Sequence, residues 1–177
     1  MKNVGRYVVA LVAMLLAVAS AVYFGYNIAP TDGAIEVPGT IGEFELVSAV
    51  KGREALESIR GLHVGSVEDI EDSAVAVYMN PSSRRLHLWV ASFISEEDAE
   101  ANIGRMVDAM QRQPEFGYTP KNHSLNGVKV YANLGEGKVD VFWAEENRLF
   151  YLLISEVSLE DSFSITREFM SEYRAQS

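Results

Sequence analysis

The chain has 177 residues, 25 acidic against 15 basic side chains, a net charge of −10, and no cysteine. That balance excludes nucleic acid as a partner, since phosphate binding requires the opposite sign. The missing cysteine excludes disulfides, thiol chemistry and a lipid on an N-terminal cysteine, so the fold must stand on its apolar core.

Tyr7 to Thr31 contain no charged residue, and Tyr7 to Tyr26 supply the roughly 20 mostly apolar positions that span a hydrocarbon core. The Val, Leu and Phe residues of this run sum to a few kcal/mol in favour of insertion. Lys2 and Arg6 precede it, whereas Asp32, Glu36, Glu43 and Glu45 follow, so the N-terminus is expected in the cytoplasm and the remainder outside it. The competing reading is a secretory signal cut near Ala19-Ser20-Ala21, which would release the domain. The apolar run continues through Val22, Tyr23 and Phe24, which favours an uncleaved anchor over residues 1–26. Lys2 and Arg6 are the only charges of that anchor, so the exported part holds 25 acidic and 13 basic residues, a net −12.

Residues 27–42 contain Pro30, Gly33, Pro38, Gly39 and Gly42 and read as a linker, with the exported domain over 43–177. Alternation of Phe44 and Leu46 against Glu43 and Glu45 predicts a strand. Ala55, Leu56, Ile59 and Leu62 have helical spacing, closed by Gly61 or Gly65. Ala74–Asn80 and Arg84–Phe93 read as a hairpin turned by Asn80-Pro81-Ser82-Ser83. Ser95 followed by Glu96, Glu97 and Asp98 predicts a capped helix with Ala99, Ile103, Met106, Val107 and Met110 on one face, ending before Pro114.

From Lys121 to Ser155 a meander is expected. Asn126-Gly127 supplies the hairpin turn, and the strands are Val128–Leu134, Val139–Ala144 and Arg148–Ser155. A last helix starts at Ser158. Setting Arg85–Met110 over Arg148–Tyr173 gives six identities in 26 pairs, among them Ser95 with Ser158 and Asp98 with Asp161. Two explanations stand: duplication of a ββα unit, or equal local requirements at two strand-to-helix junctions. Both predict an α+β domain with an antiparallel sheet and helices packed mainly on one face.

No catalytic signature is present. His63, His87 and His123 lack metal-ligand spacing, and Glu68-Asp69-Ile70-Glu71-Asp72 lacks the glycine and alternating oxygens of a calcium loop. Neither a nucleophile elbow nor a phosphate-cradling loop occurs, and no cofactor is implied. Asn122-His123-Ser124 is a glycosylation sequon of low specificity. The informative residues are aromatic: Trp89, Trp143, Tyr78, Tyr131, Phe142 and Tyr151. By alternation His87 shares a face with Trp89, opposite Leu86, Leu88 and Val90, while Trp143 shares one with Val139 and Val141. Apolar residues on both sides of a strand call for cover on both sides, or leave an aromatic groove on one. The candidate binding residues are Trp89, His87, Tyr131 and Trp143.

Leu46-Val47, Gly52, Ala55, Ile59, Leu62-His63, Tyr78, Leu88-Trp89-Val90, Ala99, Met106 and Asn126-Gly127 together resemble a loose group of prokaryotic exported or membrane-anchored proteins of unknown function. Val64 stands here where glycine more often follows the Leu-His pair in that group. The resemblance implies no activity. The expected function is a tethered binding or interaction domain, non-enzymatic, whose partner is an envelope protein or a small molecule. The alternative is a tethered hydrolase or metal-dependent enzyme using His63, His87 and acidic residues.

Overall fold

The computed structural model describes residues 35–62, 69–112, 119–135 and 137–176. The strands are β1 (Thr40–Ile41), β2 (Phe44–Lys51), β3 (Ile70–Met79), β4 (Arg85–Phe93), β5 (Lys121–Leu125), β6 (Val128–Gly135), β7 (Lys138–Glu145) and β8 (Arg148–Ser155). Three helices accompany them among the described residues: α1 (Gly52–Leu62), α2 (Glu96–Gln111) and α3 (Leu159–Gln176). All strands join one antiparallel sheet in the order β1-β2-β3-β4-β8-β7-β6-β5, which makes the fold α+β. Among the described residues no helix is long and apolar enough to cross a membrane, and the segment read as an anchor, 7–26, lies outside them.

Local chemistry explains the joints. Asn126 and Gly127 adopt φ of 52° and 83°, the two positive values a two-residue hairpin turn demands. Asn80 Oδ1 accepts from the amides of Ser82 (3.1 Å) and Arg84 (2.9 Å), which closes the β3–β4 turn. Ser95 Oγ accepts from the Asp98 amide at 3.1 Å and donates to the Asp98 carboxylate at 2.6 Å. Ser158 and Asp161 repeat both bonds at 3.1 and 2.7 Å.

Both faces of the sheet carry a helix. Phe169, Met170 and Ile165 of α3 pack on Leu88, Val90, Phe150, Leu152, Val141 and Trp143. Ala99 and Ile103 of α2 pack on Ala91, Phe93, Phe142 and Leu149, the strand neighbours that point the other way. The expectation of helices mainly on one face is thereby corrected: apolar residues on both sides of β4, β7 and β8 need two covers.

The two halves that share the repeat differ in hand. Strands β4 and β8 are antiparallel neighbours, with β3 outside one and β7 outside the other. Turning β7–β8 onto β3–β4 about the sheet normal leaves α3 on the face away from α2, so the two ββα units have opposite hand and no rotation superposes them. The shared Ser and Asp serve the two helix starts.

The segment read as a linker belongs to the domain from residue 35 onward. Ile35 and Ile41 are buried, the Ile35 amide donates to Asp72 Oδ2 at 3.1 Å, and the buried Tyr78 hydroxyl donates to the Pro38 carbonyl at 2.9 Å. Prolines and glycines forbid long regular structure but not burial. Tyr78→Phe, which orphans the Pro38 carbonyl, is expected to cost about 1 to 2 kcal/mol in urea unfolding of the compact unit Thr31–Ser177. An unchanged midpoint would mean that residues 35–39 detach at little cost.

Candidate functional site

Strand register arranges the face carrying α2 into rows. Val75 on β3 pairs with Trp89 on β4, Trp89 with Tyr151 on β8, Tyr151 with Phe142 on β7, and Phe142 with Tyr131 on β6. The four rings stack face to face along the row. Centroid separations are 4.7, 6.0 and 5.6 Å, with interplanar angles of 11°, 21° and 14°. At the far end Lys129 Nζ stands 4.9 Å from the Tyr131 ring centre. Phe142 is buried under α2, whereas Trp89, Tyr151 and Tyr131 stay half-buried.

The next row is polar. Val77, His87, Leu153, Asp140 and Asn133 follow one another across five strands. Asn133 Nδ2 donates to Asp140 Oδ2 at 3.1 Å, and Asn133 Oδ1 accepts from the Thr119 amide at 3.0 Å. The Tyr151 hydroxyl, rooted in the aromatic row, bonds the Asp140 carboxyl and ties the rows together. Burial lowers the His87 pKa to about 4, helped by the positive charges of Arg85 and Lys138, so the imidazole is neutral at pH 7. Burial raises Asp140, opposed by the hydrogen bonds from Asn133 and Tyr151 and by Lys138. Two titratable groups in one row are thus both biased toward their uncharged forms.

Of the residues expected at a site, the fold brings Trp89, His87 and Tyr131 to this face. It puts Trp143 on the other, 1% exposed, stacked on Phe150 at 5.0 Å and edge-on to Phe169 at 5.8 Å. A ligand on the α2 face cannot reach it. His123 pairs with Val130 and meets Phe163 of α3 at 4.8 Å, again on the α3 face; His63 lies outside the described residues. Asp72, from the acidic run, accepts from the amides of Ile35 and Ser73, which gives it a structural task. No cluster of three metal-binding side chains occurs among the described residues.

Asp140, Asn133 and Leu153 escaped the sequence reading. Alternation places Asp140 beside Phe142, but only the β8–β7–β6 register sets Asn133 and Tyr151 against it. A separate open groove of about 440 Å³ lies on the α3 face, between Gly42, Glu43, Arg84, Asp161, Ile165 and Glu168. The Glu168 carboxylate leans against Gly42 there, in the space a β-carbon would occupy.

No protein-family model matches the sequence, and no curated protein matches it. Among solved structures the chain is similar to a GTP binding regulator from Thermotoga maritima, with 12% identity, a TM-score of 0.40, and 76% of this chain and 82% of that one covered. It is also similar to the extracellular domain of PknH from Mycobacterium tuberculosis, with 8% identity, a TM-score of 0.43, and 90% and 91% covered. At these scores the likenesses carry no information about ligand or reaction.

Proposed function

We propose that this protein is a tethered, non-enzymatic binding domain, held in the membrane by residues 7–26 and displayed outside the cytoplasm. Its binding surface is the sheet face at Trp89, Tyr151, His87 and Leu153. The observation that supports this is the half-buried aromatic row set beside a polar row of uncharged His87 and hydrogen-bonded Asp140. Binding sites characteristically combine an apolar floor with a few fixed polar groups. Acid–base chemistry would want His87 and Asp140 joined by a hydrogen bond; Leu153 stands between them in the row, which favours binding over catalysis.

Thermal unfolding of residues 31–177 against sugars, lipids, small metabolites and divalent metals tests this. A ligand at 100 times its dissociation constant adds about 2.7 kcal/mol and raises the midpoint by several degrees. The expected result is a shift that Trp89→Ala abolishes. A shift untouched by Trp89→Ala moves the site elsewhere. No shift from any compound, with no cross-link formed from this face in native membranes, removes the binding reading. Protease added to intact spheroplasts is expected to digest the domain, and full protection would overturn the topology.

A further inference from the structure

We infer that the binding face selects an amphipathic carboxylate, seating its apolar body over Leu153 and Trp89 and its anionic head between Arg85 and Lys138. This rests on the reading that the face binds ligands at all. Beyond the polar row lies one more row on the same face. Met79 pairs with Arg85 and Lys138 with Ser155, and one step past the Leu86–Ile154 pair Arg85 comes level with Ser155. A guanidinium, a hydroxyl and an ammonium therefore stand side by side on three adjacent strands. At a strand spacing of about 4.8 Å the outer two Cα atoms are about 10 Å apart. Both long side chains can close on one carboxylate between them, with the Ser155 hydroxyl as a third donor.

Charge supports the choice of an anion. The protein carries a net −10, yet Arg85 and Lys138 are exposed and in no ion pair among the described residues. The carboxylate of the same row, Glu45, pairs opposite Met79 and so stands two strands from Arg85. The positive potentials of both cations converge on His87 in the preceding row. The imidazole is neutral, so attraction at this end comes from Arg85 and Lys138. Leu153, one row in from them, and Trp89, two rows in, are both half-buried and offer the apolar surface an amphipathic acid needs.

The test titrates benzoate and its neutral isostere benzamide into the full chain in zwitterionic nanodiscs at fixed salt, reading tryptophan fluorescence. Trp143 is enclosed in the core, so the response belongs to Trp89, and Trp89→Phe must abolish it. Benzoate is expected to bind at least about tenfold more tightly than benzamide. The Arg85→Gln/Lys138→Gln variant is expected to lose roughly tenfold for benzoate and nothing for benzamide. Both side chains are exposed, so the variant folds; its benzamide titration verifies that. Equal binding of the two probes, or undiminished benzoate binding by the variant, overturns the anion selectivity and leaves the binding face intact. No response to either probe, at concentrations where other compounds shift the melt through Trp89, also overturns the inference alone; no ligand of any kind at Trp89 overturns both.

Discussion

Trp143→Ala is expected to lower the stability of the domain by about 3 to 5 kcal/mol, the usual cost of deleting a large aromatic side chain from a core. The ring is 1% exposed, stacked within 13° of parallel on Phe150 and met edge-on by Phe169. Its removal empties the junction between sheet and α3. Small domains hold only about 5 to 15 kcal/mol in total, so the variant should sit near the limit of folding. Trp143→Phe sharpens the test. The indole N–H has no hydrogen-bond partner among the described residues, so phenylalanine removes an unsatisfied donor along with part of the ring. Its cost should be far below that of alanine. Urea unfolding followed by circular dichroism on residues 31–177 reads both. A loss below about 1 kcal/mol for alanine would contradict the core placement and return Trp143 to the candidates for binding.

The second large effect is a dependence on pH carried by His87. Its folded pKa of about 4 lies below the ordinary value of 6.5, because burial, Arg85 and Lys138 all disfavour the imidazolium. Between pH 6.5 and 4 the unfolded chain therefore binds a proton that the folded chain refuses. Stability falls as the pH drops through that window, by roughly 3 kcal/mol in full. Asp140 has the opposite sign. Its folded pKa is raised, so above the ordinary carboxylate value of 3.8 the folded state keeps a proton that the unfolded state has lost, and its contribution declines as pH rises. The two slopes oppose each other in one row of the sheet. His87→Gln should remove the acid-side loss, and Asp140→Asn should leave it steeper than in the parent. Parallel curves for parent and His87→Gln would show that the imidazole is well solvated.

The elements carried by local chemistry were legible in the sequence. Ser95 and Ser158 announce the starts of α2 and α3, Asn126-Gly127 the β5–β6 turn, and period-two alternation the sides of β4 and β7. What depends on long-range pairing was not. Nothing near Trp89 indicates that its ring will lie on Tyr151, 62 positions later, since that contact exists only through the β4–β8 register. The same ignorance hid Asn133 as the partner of Asp140. Composition misled once, where Pro38, Gly39 and Gly42 suggested a linker although Ile35 before them and Ile41 among them are buried. Trp143 and Trp89 looked equivalent as exposed-or-buried aromatics; the placement of α3 over one face and α2 over the other separates them.

The position of β8 in the middle of the sheet sets the order in which the chain can fold. Ser92 waits for Arg148, and Leu86 for Ile154, before the central seam can close. Hairpins on either side form from near neighbours, but the seam bears the loop-closure entropy of the whole interval between them, which places folding in the slow, high-contact-order regime. A nascent chain ending before Arg148 would display β4 and β7 as two unpaired edges, one carrying Trp89 and the other Phe142 and Trp143. Until its last strand is made, this domain is two open ribbons in need of protection from each other's copies.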